Sequence, residues 1–287
     1  MAQSIRLVRA VLAVAAIASC ASWSANGQET TTTTVYTDPQ PRRMGVLITG
    51  DSITEQADDP TVDGWVTLFQ YQYQQGADII VRGMSGYNSR WFLKYVMPTL
   101  EKELKDGVYI PSIITVWLGT NDAVLTNGSN ADMHVPLKDY TANMIKIVTK
   151  FQAAAPDAKI IMITPPHVDD AVRAKEAKEH SKGVVDRSDA RSGRYAQACV
   201  EVATMTGVSV LDLYKLFHAM PLATRNKHLQ DGLHFSPSGH KIINDELQNL
   251  IRSKFPEEGK KLDVYQFPFV AKWREEDPYV PVNNTSA

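Results

Sequence analysis

Met44-Gly45-Val46-Leu47-Ile48-Thr49-Gly50-Asp51-Ser52-Ile53-Thr54-Glu55 sets a short apolar run directly before a glycine, an acid and a serine. Residues 44–49 are apolar without alternation, as expected of a strand covered on both faces. Gly50 ends the run. A serine where a strand turns into a helix presents its hydroxyl to solvent while its own amide points toward an anion, a nucleophile's position. Asp51 or Ser52 can instead simply cap the next helix, and the stretch taken alone favours that reading.

Comparable Val- and Ile-rich runs at 78–81, 112–118, 159–164 and 208–211 predict four more buried strands. Between them lie helical stripes. Leu137, Tyr140, Met144, Ile147, Val148 and Phe151 recur at three- and four-residue steps before Pro156. Similar stripes occupy 91–105 and Tyr195, Cys199, Val202 and Met205, and a last helix opens with Ser236 as cap and Pro237 in its first turn. Strand and helix in alternation predict an α/β protein, a three-layer α/β/α sandwich on a five-stranded parallel sheet with right-handed crossovers. The domain is expected over 44–255, followed by a wrapping tail at 256–287. Residues 169–194, rich in charge, read as a solvated loop or exposed helix at the sheet's rim.

Upstream, Arg6 and Arg9 precede an apolar run from Ala10 to Ala18 and then small residues, the order of a secretory signal peptide over 1–27. That run is too short to span a bilayer. Simple secretion ranks above a lipoprotein route through Cys20. Residues 28–43, with Thr31 to Thr34, Pro39 and Pro41, read as a Thr/Pro-rich tether. Sequons stand at Asn127, Asn283 and Asn284. Thirty basic against 32 acidic residues among 287 leave no excess for a nucleic-acid partner, and two cysteines cannot build a disulfide scaffold. Cys199 reads as a small buried hydrophobe.

In parallel α/β sheets ligands bind beyond the carboxyl ends of the strands. Those positions carry Gly50-Asp51-Ser52 after the first strand, Ser85-Gly86-Tyr87-Asn88 after the second and Gly119-Thr120-Asn121-Asp122 after the third. Asp231-Gly232-Leu233-His234 precedes the last helix, and a carboxylate and an imidazole so spaced in a turn can touch. Each block alone is a common turn or cap. Together they supply a nucleophile, a base, its orienter and oxyanion donors.

These four blocks resemble the GDSL-type, or SGNH, hydrolases, over nearly all of 44–251. Within that family the chain is most similar to the isoamyl acetate-hydrolysing esterase branch, through Arg82-Gly83-Met84-Ser85-Gly86-Tyr87-Asn88-Ser89-Arg90-Trp91, His134-Val135-Pro136-Leu137, Ile163-Thr164-Pro165-Pro166 and Tyr195-Ala196-Gln197-Ala198-Cys199. The resemblance implies Ser52 as nucleophile, His234 as general base and then acid, and Asp231 as orienter. It also implies an oxyanion hole from the amides of Ser52 and Gly86 and the side chain of Asn121. The expected reaction is hydrolysis of small, acetate-type esters through an acyl-enzyme, without cofactor or metal. A carbohydrate O-acetylesterase is the alternative, and a non-catalytic binding protein ranks last. Ser89 stands where the branch more often has Thr. No Gly-x-Ser-x-Gly elbow is present, which sets ordinary α/β-hydrolases aside.

Tyr87, Arg90 and His167 are the candidate pocket residues, Tyr87 beside Gly86 and His167 just past the fourth strand. Arg90 suits a structural ion pair as well. Trp65, Trp91 and Trp117 are expected in the core. His228, His234 and His240, six apart, fit neither a helical face nor a zinc spacing. A small-molecule ester is the expected partner, with oligomeric state left open.

Overall fold

Five parallel strands form the central sheet in the order β4-β3-β5-β6-β7: β3 (Met44–Gly50), β4 (Ala77–Gly83), β5 (Pro111–Trp117), β6 (Lys159–Ile163) and β7 (Ser209–Leu211). The computed structural model describes residues 43–181, 183–267 and 270–276, and the backbone of 20–22 and 30–32. Residues 1–42 are one unit and 43–287 another. In the first, β1 (Cys20–Ser22) pairs antiparallel with β2 (Thr30–Thr32). The rest of the expected signal peptide and tether, and the sequons at Asn283 and Asn284, lie outside the described residues. No described helix is long and apolar enough to cross a membrane.

Helices cover both faces of the sheet. α1 (Ser52–Glu55) and α2 (Trp65–Tyr73) follow β3; α3 (Ser89–Trp91) follows β4 and runs through a π turn, Phe92–Val96, into α4 (Met97–Lys105). α5 (Leu137–Ala154) follows β5, and α6 (Asp170–His180) and α7 (Asp189–Thr206) follow β6. After β7 come α8 (Leu213–His218), α9 (Leu222–Asn226), α10 (Pro237–Lys254), α11 (Pro256–Leu262) and α12 (Val270–Glu276).

The strands' period of two divides the core. Val46, Ile48, Ile113, Trp117, Ile161 and Ile163 face one layer with Trp65, Phe69, Phe217, Ile243 and Leu247. Leu47, Ile114, Val116, Ile160 and Met162 face the other, with Phe92, Tyr140, Ile147, Phe151 and Cys199. The α5 stripe predicted from spacing is buried at Tyr140, Met144, Ile147, Val148 and Phe151.

Several expectations need correction. Met205 is 60% exposed, because ten residues of helical rotation beyond Tyr195 carry it off the buried stripe of α7. Ser236 stands at the N-cap of α10 as expected, but its side chain makes no capping bond; its Oγ donates to the Lys227 carbonyl instead. Arg43, assigned to the tether, donates to the carbonyls of Gln74 and Ala77 and pairs with Asp78. The stretch 169–194 is not solvated throughout: α6 is largely exposed, yet Asp186 and Arg187 beyond it are buried. Past residue 255, α11 sets Leu262 into the core.

Because β3 lies between β4 and β5, successive connections leave it in opposite directions. The carboxyl end of β3 is therefore the sheet's switch point, where a crevice opens.

Candidate active site

Three loops meet at that switch point and are bonded to one another. The amide of Met84 donates to the Gly50 carbonyl and that of Ser85 to Glu55 Oε2 (2.6 Å), joining the loops after β3 and β4. Asn121 Nδ2 donates to the Tyr87 carbonyl (2.9 Å), and the Ser89 amide to both oxygens of Asp122 (3.0 Å each), joining β4 to β5. Ser89 Oγ also donates to Asp122. Gly86 takes φ +79°, a left-handed conformation costly for a side-chain-bearing residue, and its amide is carried on that turn beside Tyr87.

Asp51 caps α1 by accepting from the Ile53 amide (3.0 Å), so the structural reading of the Gly-Asp-Ser turn holds for Asp51. Ser52 is left as the first residue of α1, 8% exposed. Its Oγ lies 3.0 Å from His234 Nε2, and His234 Nδ1 lies 2.8 Å from Asp231 Oδ2. A ring nitrogen facing a carboxylate is the donor, which leaves Nε2 as acceptor for the serine hydroxyl. Asp231 Oδ1 meanwhile accepts from the amides of Leu233 (2.9 Å) and His234 (2.7 Å), and Gly232 at φ +83° makes this tight turn possible.

Burial pushes the Asp231 carboxyl up. The hydrogen bond and charge of His234, with the two amides, outweigh it and hold Asp231 well below the usual carboxylate range. Asp51 and Asp122 behave oppositely. Burial raises Asp51 to about 6 against the pull of the Ile53 amide, His234 and Arg187, and raises Asp122 to about 7 against its bonds from Ser89.

Among the pocket candidates, Tyr87 is half-buried and meets Trp91 edge-on, with ring centres 6.3 Å apart. Arg90 is exposed, lies 5.6 Å from the Trp91 ring and reaches the Asp132 carbonyl at 3.4 Å. His167 is fully buried, against Phe217, and its Nε2 donates to the Arg225 carbonyl (3.0 Å). Burial lowers it to about 4, so it is a neutral structural group and not a pocket wall. Met133 takes a place that sequence reading missed: its Cε lies 3.7 Å from where a Cβ on Gly86 would stand.

Sequence reading also missed Arg187. Its Nη2 donates to Asn121 Oδ1 at 2.6 Å and its Nη1 pairs with Asp186. Asp186 is shared with Arg173 (2.9 Å), which reaches the Asp231 carbonyl at 3.4 Å. Separately, Glu176, Glu179 and His180 bring ligand atoms within 4.8 Å of one another on exposed turns of α6. None of them is hydrogen-bonded to Ser52, His234 or Asp231.

Residues 48–242, framing this constellation, match the GDSL-like lipase/acylhydrolase family. The chain belongs to that family. Its curated relatives include a GDSL esterase/lipase of Arabidopsis thaliana, 35% identical over 76% of this chain and 88% of the relative. They also include the isoamyl acetate-hydrolyzing esterase 1 homolog of Bos taurus, 33% identical over 80% and 87% of the two chains. This GDSL hydrolase shares its fold with a lipase/acylhydrolase from Enterococcus faecalis (24% identity, 74% and 96% covered, TM-score 0.52). It shares it too with an acetylxylan esterase from Geobacillus stearothermophilus (16% identity, 80% and 100% covered, TM-score 0.52). The three-layer expectation holds, and the chain is a carboxylic ester hydrolase.

Proposed function

We propose that this GDSL hydrolase is a serine esterase for small carboxylic esters, and the unbroken chain of hydrogen bonds Ser52–His234–Asp231 carries that reading. Ser52 Oγ attacks the ester carbonyl as His234 Nε2 takes its proton, and Asp231 holds the imidazole in the accepting tautomer. The negative oxygen that forms is met by the amides of Ser52 and Gly86 and by Asn121 Nδ2. As the C–O bond breaks, the proton passes from His234 to the departing alcohol, leaving an acyl group on Ser52. Water repeats the sequence in reverse and releases the acid. Met133, set close against the Gly86 turn, supports a small acyl group such as acetate. The signal-like order of residues 1–27 supports secretion, and the hydrolase domain begins at residue 44 with 256–287 as its tail.

The direct test is hydrolysis of p-nitrophenyl esters from acetate to decanoate. Rates should be highest for acetate and fall steeply by the medium chains. Inactivity on every member, with acetate released from acetylated xylan, would replace this reading with a carbohydrate O-acetylesterase.

The pH profile follows from Asp231. Held well below the usual carboxylate range, it stays ionised through the range in which ordinary carboxylates take up a proton. With Asp231 ionised throughout, kcat/KM should fall toward acid as the base is lost and level off above. A kcat/KM that does not fall on acidification removes His234 from the base's role.

A further inference from the structure

We infer that Arg187 is a positioning residue that sets the Asn121 amide as an oxyanion donor, an inference that rests on the serine-esterase reading above. Asn121 carries one acceptor and two donor hydrogens, and its amide has two possible orientations. Arg187 can only donate, and the Tyr87 carbonyl can only accept; the two hold opposite ends of the amide, at 2.6 and 2.9 Å. Flipping the amide would set N–H against guanidinium and oxygen against carbonyl, so one orientation survives. In it Tyr87 takes one Nδ2 hydrogen and the second remains for the substrate oxygen. A cation on Oδ1 also draws electron density from the amide, which makes that remaining hydrogen a stronger donor.

The guanidinium is itself fixed. Arg187 is 8% exposed and pairs with Asp186, 2% exposed, which Arg173 holds from its other side. Arg173 continues to the backbone carbonyl of Asp231, so a chain of ion pairs and one hydrogen bond runs from the oxyanion donor to the residue that bears the acid of the triad. The hydrogen bonds to Asn121 join this chain to the loops after β4 and β5.

The test is a double-variant cycle of Arg187→Gln and Asn121→Ala, read as kcat and KM on p-nitrophenyl acetate with folding checked by circular dichroism. Arg187→Gln should lower kcat about 10- to 100-fold, short of the hundred- to thousandfold effect of removing a donor outright, with KM within about threefold. In the Asn121→Ala background the same change should cost nothing further, because the amide that Arg187 positions is gone. Losses that multiply, or a wild-type kcat in Arg187→Gln, overturn the inference. If the glutamine variant does not fold, Arg187→Lys is read in its place. It keeps the charge beside Asp186 but lacks the fork that also reaches Asn121, so the same kcat loss is expected and a wild-type kcat overturns the inference. Ser52→Ala separates the two readings: turnover retained there defeats the serine mechanism itself, whereas turnover lost there but intact in Arg187→Gln defeats only the positioning role.

Discussion

Ser52→Ala should abolish ester hydrolysis, lowering kcat by about 10⁴- to 10⁶-fold, while the protein folds as before. The asymmetry follows from how little of the fold depends on the hydroxyl. Helix α1 is capped by Asp51 through the Ile53 amide, and neither partner changes. The one side-chain bond lost is that to His234 Nε2. Removing one hydroxyl hydrogen bond of this kind shifts stability by about 1 kcal/mol. The rate loss is large because, among the described residues, no second nucleophile is hydrogen-bonded to the proposed base, while the proposed oxyanion donors stay in place and supply the residual catalysis. Rates on p-nitrophenyl acetate should be measured at high enzyme concentration beside urea denaturation. A variant within tenfold of wild type would exclude Ser52 as nucleophile.

Most of this site could be read from the chain because its members are local. Ser52, Gly86 and Asn121 each follow a strand whose apolar run is unmistakable, and a parallel sheet brings strand ends together without further information. Asp231 and His234 lie three residues apart, so their contact is a property of one turn. The missed residues owe their roles to tertiary partners. Arg187 lies in a stretch dense in Lys, Glu and Arg, where no period marks a buried position, and its burial depends on Asn121, 66 residues earlier, and on Arg173 of α6 meeting it and its neighbour Asp186. His167 shows the converse failure. Its place after β6 put it on the rim by topology, but its ring turns inward against Phe217, and strand position says nothing of side-chain direction once the strand has ended. Met133 carried no signal at all. It stands next to Gly86 because Asn88 Nδ2 donates to its carbonyl at 2.7 Å, a bond across 45 residues.

Asp231→Asn and Asp231→Ala should both cripple turnover yet differ in stability, and the difference isolates what the carboxylate does. Oδ1 accepts from the amides of Leu233 and His234, a task that an asparagine oxygen performs equally. Oδ2 accepts from His234 Nδ1, and there the asparagine offers an NH₂. Two donors cannot face each other, so the imidazole gives up its Nδ1 proton and carries one on Nε2. Nε2 then faces the Ser52 hydroxyl as a donor and can no longer take its proton. A change of tautomer of this kind costs about 10⁴ in kcat with little effect on KM or on folding. Asp231→Ala loses the same function and also leaves two amides of the turn without their acceptor, a further destabilisation of about 1–3 kcal/mol. Thermal or urea denaturation of the pair, set beside their kcat values, reads both quantities. Asparagine turnover within tenfold of wild type would mean that Asp231 does not set the tautomer. Equal stability of the two variants would mean that water replaces the turn's lost acceptor at no cost.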